Sequence, residues 1–282
     1  MRTMAETAVS PGRTIGRFRL EALIGEGATG LVFRARAEGG PIVAVKQLRP
    51  ELVEDEAALA RFRREALLAR SITTPHLAPI LELGEVDGCV YLVQPYYEGG
   101  SLAALLRSAG HLEPEATCRL AAQLGRGLDA LHERGVLHRD VKPSNVLLDG
   151  AGDAALADFG VARGAESTRL TADGQILGTA HYLAPELIEG GEASRQSDIY
   201  ALGCVVYECL VGEPPFDGRA PAEIGFAHLV EAPPDPRERR PGLSRGLADA
   251  VLAALEKEPA ARPTTATALA RLLHVGCSSS PA

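Results

Sequence analysis

Two short polar clusters near the middle of the chain carry the groups that phosphoryl transfer needs. They are residues 138–145 (HRDVKPSN) and residues 158–160 (DFG). The reaction requires an acceptor for the proton of an attacking hydroxyl, a cation near the transferring oxygens and oxygen ligands for Mg²⁺. Asp140, Lys142 and the pair Asn145 and Asp158 can supply these in turn. Each residue alone would be typical of a charged surface, but the ordered clusters predict a phosphoryl-transfer site.

A glycine-rich stretch precedes these clusters. Residues 25–32 read GEGATGLV, and Gly25, Gly27 and Gly30 let backbone N–H groups approach phosphate oxygens without an intervening side chain. The glycines alone are equally compatible with an ordinary hairpin turn. A dinucleotide-binding loop would have to open a helix, whereas the segment from Leu31 onward is strand-like.

A lysine ends the next apolar strand, in Val43-Ala-Val-Lys46. A buried strand seldom finishes in Lys unless its ammonium group meets an anion, and phosphates together with a carboxylate would serve. Glu65, on the polar side of the following helix, is the candidate partner. Taken alone, Glu65 would be one of many solvated helix glutamates.

The elements that must position these groups change in character along the chain. Strand-like alternation precedes Glu98-Gly99-Gly100, and helical periodicity follows it. This predicts an α+β fold in two lobes. A small antiparallel β lobe of five strands with one main helix spans about 17–95, a hinge spans 96–98, and a larger, mainly helical lobe spans 99–274. The segments behind this prediction are strands at 18–24, 31–35 and 42–46 and helices at 56–70, 114–133, 199–210 and 265–273. Residues 1–14 and 275–282 are expected to be disordered tails.

Composition narrows the classes of function. The chain has 282 residues, 46% of them hydrophobic, and a net charge of -8, which gives no general attraction for nucleic acid. The most apolar segment, 199–212, is short and carries Glu208, so it predicts a buried helix and no membrane anchor. The start lacks a secretory apolar stretch. Five cysteines without a C-x-x-C pair fit neither a disulfide framework nor a zinc site. A cytoplasmic protein with free thiols is expected.

Together the motifs resemble the Hanks-type, eukaryotic-like serine/threonine protein kinases of bacteria, the actinobacterial group in particular. The resemblance extends from about residue 15 to residue 274. It includes 184–186 (APE), 198–203 (DIYALG) and 257–263 (KEPAARP). It implies transfer of the γ-phosphate of ATP to serine or threonine hydroxyls of proteins, with Mg²⁺, or Mn²⁺ in its place, as the metal. It also implies a buried ion pair of Glu186 with Arg262, and Asp198 bracing the backbone at His138-Arg139.

The same resemblance implies a role for each candidate residue. Asp140 would orient the substrate hydroxyl and accept its proton, and Lys142 would steady the γ-phosphate. Lys46, oriented by Glu65, would hold the α- and β-phosphates. Asn145 and Asp158 would bind the metal. Pro95 replaces an acidic residue common in the family, yet it keeps the carbonyl that adenine needs. The implied nucleotide site comprises Ile24, Gly25, Gly27, Gly30, Val32, Ala44, Lys46, Gln94, Pro95, Tyr97 and Leu147.

The resemblance also implies specificity and regulation, through the loop 138–145 and the segment from Asp158 to Glu186. Lys142-Pro143 and Gly178-Thr179-Ala180 indicate serine/threonine rather than tyrosine specificity. Thr171, and next Thr168, are candidates for autophosphorylation, since a phosphate there could pair with Arg139. Ser167 lies in the same segment, and Asp173 could supply a fixed negative charge. The expected partners are protein substrates and a second copy of the chain, in a homodimer that phosphorylates itself.

Three other classes of protein have some of the same motifs. A pseudokinase scaffold would usually lack one of Lys46, Asp140 and Asp158, and all three are present. A small-molecule phosphotransferase shares the catalytic aspartate but lacks a protein-docking segment such as the one that ends at Ala184-Pro185-Glu186. A dinucleotide-binding module would need a helix directly after the glycines.

Overall fold

The computed structural model describes residues 12–27, 29–158 and 180–278, which form two compact units. The first unit holds the described residues up to Ser71 together with Ala78–Tyr96, and the second holds Ile72–Leu77 and the described residues from Tyr97 onward. The boundary between Tyr96 and Tyr97 lies inside the predicted hinge. The predicted small lobe ran without a break to Pro95. Residues 72–77 differ because Leu77 pairs with Leu156, and the Leu156 amide donates to the His76 carbonyl at 2.9 Å.

The first unit is built on one antiparallel sheet of six strands, one more than predicted. The additional strand, β1, has only two residues, so it carries no readable alternation. Phe18, Leu20, Phe33, Val45 and Tyr91 fill the core behind the sheet. The strands are β1 (Thr14–Ile15), β2 (Phe18–Gly27), β3 (Gly30–Ala37), β4 (Ile42–Leu48), β5 (Glu82–Val86) and β6 (Cys89–Pro95), in the spatial order β1-β2-β3-β4-β6-β5.

Two helices lie between β4 and β5 in the chain, where one was predicted. The main helix, α2 (Glu56–Arg70), has the predicted bounds. Asp55 caps it by accepting from the amides of Ala57 and Ala58. The additional helix, α1 (Pro50–Glu54), has a single turn and no buried residue. A helix this short has no apolar periodicity, which is why the sequence did not indicate it.

The second unit is mainly helical and has α6 at its centre. Nearly every side chain of α6 is buried, as expected for a helix that is apolar all round. A two-stranded antiparallel ladder, β7 (Val146–Leu148) with β8 (Ala154–Leu156), completes the unit. The helices are α3 (Leu102–Ala109), α4 (Pro114–Glu133), α5 (Pro185–Ile188), α6 (Arg195–Val211), α7 (Pro221–Val230), α8 (Pro236–Arg239), α9 (Arg245–Ala254) and α10 (Ala266–Ser278). Within the described residues, no helix combines the length and apolarity needed to cross a bilayer.

Both predicted tails overlap ordered residues. At the start of the described chain the Gly12 amide donates to the Leu20 carbonyl at 2.9 Å, and Thr14 pairs with Arg19. At the other end α10 continues to Ser278. Thr14 therefore lies in a strand and residues 275–278 in a helix. The short β1–β2 hairpin holds the first segment and close packing of Gly276 on Gly246 holds the second, and the local sequence pattern indicates neither contact.

Candidate active site

The glycine-rich stretch forms the hairpin between β2 and β3. Gly27 pairs with Gly30, and Gly25 pairs with Val32. Gly30 is required by packing, since a Cβ there would lie 2.0 Å from the Gln47 carbonyl oxygen. At Gly27 a Cβ would meet no atom within 4 Å. The backbone at Gly27 therefore borders open space, as a phosphate-covering loop requires.

Arg49 holds the tip of this hairpin and was not singled out from the sequence. Its Nε donates to the Gly27 carbonyl at 3.1 Å, and its Nη2 pairs with Glu26 at 2.9 Å. Its backbone amide also donates to the Thr29 carbonyl at 3.1 Å. The register of β3 with β4 creates these contacts because it sets Gly30 opposite Leu48. Only that register could have revealed the residue.

The sheet brings several predicted nucleotide residues of the first unit onto neighbouring strands. Ala44 pairs with Gln94 across β4 and β6, and Lys46 pairs with Val32 across β4 and β3. The Ile24 side chain is 47% exposed. Gln94 is buried, and its Nε2 donates to the Ala78 carbonyl at 3.3 Å. Apolar side chains beside a fixed polar group are typical of a site for a flat heterocycle.

The remaining nucleotide candidates lie at the end of β6 and in the second unit. Pro95 is the last residue of β6, where it pairs with Val43. Leu147, on β7, is half-buried and forms an isolated bridge with Ser101. Burial, together with the charge of Asp149, raises the pKa of Tyr97.

Lys46 and Glu65 both lie in the first unit. Lys46 is in the interior of the sheet, paired with Val32 on one side and Leu92 on the other. Glu65 is half-buried on α2, directly before the buried Ala66. Placing Glu65 next to the buried face of α2 distinguishes it from a solvated glutamate. The pairing of Lys46 with Glu65 stays a prediction.

In the second unit, the loop before β7 brings the predicted catalytic residue Lys142 and the predicted metal ligand Asn145 to the carboxylate of Asp140. The Asp140 Oδ2 atom lies 2.8 Å from Lys142 Nζ and accepts from Asn145 Nδ2 at 2.9 Å. Asn145 Nδ2 also donates to the Asp140 carbonyl at 2.8 Å. A 3₁₀ turn over Pro143–Asn145 folds the chain back so that Asn145 reaches Asp140. The arrangement fixes the carboxylate and sets an ammonium group beside it.

The β7–β8 ladder places the backbone of Asn145 next to that of Ala157, the residue before Asp158. Val146 pairs with Leu156, and the Ala157 amide donates to the Asn145 carbonyl at 2.8 Å. Asp158 follows at once, half-buried and with a φ of 59°. A non-glycine residue in this left-handed region carries strain of a kind that clusters at functional sites.

Asp198, buried in the first turn of α6, braces the same loop, as predicted. Its carboxylate accepts from the amides of His138 at 2.9 Å and Arg139 at 2.8 Å, and Arg139 has a φ of 64°. The carboxylate also bonds His132 Nε2 at 2.8 Å, a contact that sequence reasoning missed. Three bonds to one buried carboxylate hold the strained turn in place.

His138 is fully buried beside this brace. Burial lowers its pKa, so the neutral ring can accept, and its Nδ1 receives the Asp140 amide at 3.3 Å. The imidazole thus acts as a fixed support for the backbone at Asp140.

The predicted ion pair of Glu186 with Arg262 is confirmed and is bidentate, at 2.9 Å and 2.8 Å. Burial alone would raise the pKa of Glu186, but hydrogen bonds from Arg262, from its own backbone and from Ser197 hold that pKa below its usual value. Arg262 also donates to the carbonyls of Glu256, Gln196 and Lys257. The pair therefore anchors the start of α5 to the segment between α9 and α10.

The donor set fits a metal shared with phosphates. Both N–H groups of the Asn145 amide are directed at Asp140, which leaves its oxygen, with the Asp158 carboxylate, as a hard ligand. Mg²⁺ commonly takes one or two such protein ligands and completes its shell with phosphate oxygens and water. Among the described side chains, no three His, Cys, Asp or Glu residues form a metal-binding cluster.

Several predictions fall on residues 159–179, outside the described ranges. They concern the phosphorylation candidates Thr171 and Thr168, the neighbouring Ser167 and Asp173, and Thr179.

Comparison with known proteins agrees with the phosphoryl-transfer site that the residues around Asp140 suggest. A model of the protein kinase domain matches residues 18–273. Serine/threonine-protein kinase PknD of Mycobacterium tuberculosis is 38% identical over 273 residues, 96% of this chain and 41% of that protein. PknE of the same species is 39% identical over 265 residues, 93% of this chain and 46% of that protein. PknB of Mycobacterium leprae is 36% identical over 263 residues, 91% of this chain and 42% of that protein.

The chain thus spans less than half the length of these curated relatives. A crystal structure of the Mycobacterium tuberculosis PknI kinase domain superposes with a TM-score of 0.76 at 27% identity, covering 96% of this chain and all of that one. The predicted kinase fold, with its antiparallel sheet and helical part, is therefore confirmed. Taken with the arrangement around Asp140, these matches show that the chain belongs to the protein kinase domain family, with the bacterial Hanks-type serine/threonine kinases as its relatives.

Proposed function

We propose that the chain is an active serine/threonine protein kinase domain, which transfers the γ-phosphoryl group of ATP to protein hydroxyls. The observation that carries the proposal is the contact of Lys142 and Asn145 with one oxygen of Asp140. Such an arrangement supplies a positioned base, a cation and a metal ligand in one loop.

Asp140 would orient the incoming serine or threonine hydroxyl and accept its proton. The braced backbone supports this role, because Asp198 fixes the preceding turn and His138 fixes the Asp140 amide. Lys142 would balance negative charge on the transferring phosphoryl group. These are positioning and electrostatic effects, on which phosphoryl transfer mainly depends.

Protein kinases as a family use ATP with a divalent metal, and we propose Mg²⁺ here, with Mn²⁺ as a substitute. The metal, when bound, would neutralise charge on the phosphates. Asn145 Oδ1 and the Asp158 carboxylate would hold it.

The residues of the sheet would hold the nucleotide. Lys46, oriented by Glu65, would meet the α- and β-phosphates, and the amides of the β2–β3 hairpin would cover them. Ile24, Val32, Ala44, Gln94, Pro95, Tyr97 and Leu147 would enclose the adenine. The exposure of Ile24 and the open space at Gly27 support these roles.

Serine/threonine specificity is supported by the names of the relatives and by Lys142-Pro143 in the loop. We propose protein substrates, autophosphorylation within a homodimer, and a cytoplasmic location. Thr171, and next Thr168, would take the autophosphate, with Arg139 pairing to it. Mass spectrometry after incubation with Mg²⁺ and ATP should find phosphate on Thr171 more than elsewhere in residues 158–186. An unmodified Thr171 in a fully active enzyme contradicts that assignment.

The central test substitutes Asp140→Asn. Transfer of labelled phosphate from ATP to a panel of proteins should fall by about a thousandfold or more, since the hydroxyl is no longer deprotonated. Nucleotide affinity measured by calorimetry should stay within about threefold, because Asp140 is assigned no contact with the nucleotide.

Asp87→Asn is the matched control. Asp87 is exposed in the β5–β6 turn with a φ of 49°, which asparagine also tolerates, so this variant should match the parent chain. ATP binding without transfer in the parent chain would identify a pseudokinase. Transfer to small molecules alone would identify the other phosphotransferase class.

A further inference from the structure

Two cysteines distant in sequence lie at the packed interface of α4 and α10 in the second unit. Cys118 is in the first part of α4 and is buried, whereas Cys277 is in the last turn of α10 and is half-buried. Their sequence positions do not suggest a pair, because they are about 160 residues apart and belong to no spacing motif.

A hydrogen bond places the Cys118 thiol against α10, the helix that carries Cys277. Cys118 Sγ donates to the Leu273 carbonyl at 3.5 Å. In an α-helix the carbonyl of one residue accepts from the amide four residues later, so the Leu273 carbonyl is directed at the Cys277 backbone. The Cys118 thiol therefore lies against the turn of α10 that carries Cys277. Consistently, burial raises the pKa of Cys118 to about 12, and the neighbouring Cys277 thiol contributes to the rise.

Helix α10 is held at both ends, and these contacts keep the Cys277 backbone close to α4. At its start Asp129 accepts from the amides of Ala266 and Thr267 at 3.0 Å and 3.1 Å. At its end Gly276 is packed so closely that a Cβ would lie 2.4 Å from the Gly246 backbone. The Ser244 hydroxyl also donates to the Gly276 carbonyl at 2.5 Å. Cys277 cannot easily swing away from α4.

The other three cysteines are poorer reactants. Cys204 and Cys209 are fully buried within α6, and burial raises the pKa of both thiols. Cys89 lies in the first unit at the start of β6 and is half-buried. Reactivity toward oxidants follows exposure and thiolate character. Cys277 combines partial exposure with a neighbouring second thiol, Cys118.

We propose that Cys118 and Cys277 are a reversible oxidation site at which a disulfide joins α4 to α10. The Cys277 thiolate attacks a small disulfide such as oxidised glutathione, forms a mixed disulfide and releases one thiolate. Cys118 then loses its proton and attacks Cys277 Sγ, which forms the internal bond and releases the second thiolate. The protein loses two electrons, and the small disulfide gains them as two thiols.

The link would close a loop of about 160 residues and stabilise the second unit by restricting its unfolded chain. It involves no residue assigned to phosphoryl transfer, so the proposal is independent of kinase activity. The high pKa of Cys118 should make the second step slow near pH 7 and faster with rising pH.

The test uses the full chain with oxidised glutathione, followed by alkylation and tryptic mapping. Cys118 falls in peptide 108–119 (SAGHLEPEATCR) and Cys277 in peptide 272–282 (LLHVGCSSSPA). The linked pair of peptides should appear and should vanish after reduction. The oxidised chain should unfold about 5–10 °C above the reduced chain.

Cys118→Ser and Cys277→Ser should both abolish the linked peptide and the thermal shift, and Cys89→Ser is the matched control that should retain them. Cys118→Ser should accumulate glutathione on Cys277. A parent chain that stops at the mixed disulfide, or that links Cys277 to Cys89, would overturn the proposal. Phosphate transfer is not a readout, so an inactive kinase leaves this result interpretable.

Discussion

The carboxylate of Asp140 is held by residues from its own loop. Lys142 contacts it from two residues along the chain, and Asn145 reaches it because the 3₁₀ turn Pro143–Asn145 folds the chain back. The sequence spacing of Asp140, Lys142 and Asn145 is therefore enough to bring their side chains together. The backbone at His138 and Arg139 is held by Asp198, which is almost 60 residues farther along the chain. The side chains of the loop are thus arranged by local sequence, whereas its backbone is supported by a distant residue.

Arg49 is predicted to position the glycine-rich hairpin for the nucleotide. In Arg49→Gln the hairpin tip loses its bonds at Gly27 and Glu26. Because the contacts are partly exposed, each contributes little. We expect the KM for ATP to rise about two- to fivefold while kcat changes by less than twofold.

Arg17→Gln is the control, since Arg17 also forms an exposed pair within the same unit, with Glu82 at 2.7 Å. It should leave both kinetic constants unchanged. Equal effects of the two variants, or a loss confined to kcat in Arg49→Gln, would contradict a positioning role for Arg49.

At the scale of elements, two glycines of the β2–β3 hairpin lie in different surroundings. Gly30 lies against the backbone of β4, whereas Gly27 borders open space. The same substitution should therefore affect different properties at the two positions. The hairpin register, rather than the glycine spacing, decides which glycine is packed against backbone and which borders open space.

Gly30→Ala should lower the free energy of unfolding by about 2–3 kcal/mol, because the Cβ would overlap the Gln47 carbonyl and a backbone cannot yield cheaply. Gly27→Ala should change it by less than about 1 kcal/mol and should instead weaken ATP binding. Urea unfolding and calorimetry with ATP measure the two effects. A stable Gly30→Ala variant, or unchanged ATP affinity in Gly27→Ala, would refute the respective assignment.

At the scale of the molecule, buried polar groups tie the helices of the second unit together. His228 is fully buried on α7, its Nδ1 bonds the Tyr200 hydroxyl at 2.8 Å, and its ring lies edge-on to Phe216. Burial, with the charges of Lys257 and His181, lowers the pKa of His228 to about 3. The folded unit therefore requires a neutral imidazole.

Stability should fall with acidity for this reason. The folded pKa is below the unfolded value near 6.5, so the unfolded chain binds the proton more readily as the pH drops. The contribution is present above pH 6.5 and is lost toward pH 3, at about 2 kcal/mol between pH 7 and pH 5. Urea unfolding of the parent chain and of His228→Asn should differ in pH slope by that amount. Equal slopes would refute the assignment.

The sequence by itself determined what depends on neighbours in the chain. The loop at 138–145 acts through residues within five positions, and the helices at 56–70 and 114–133 have their predicted bounds because apolar periodicity and capping are local signals. The strands at the hairpin were likewise found, although β2, β3 and β4 extend beyond the predicted segments.

Only the tertiary structure decided what depends on register and packing. The grouping of residues 72–77 with the second unit depends on the pairing of Leu77 with Leu156, and the continuation of α10 to Ser278 on contacts with Ser244 and Gly246. The same holds for Arg49 at the hairpin tip and for Cys118 beside α10. Such contacts join residues whose separation in sequence carries no period or motif, so only the folded chain brings them together.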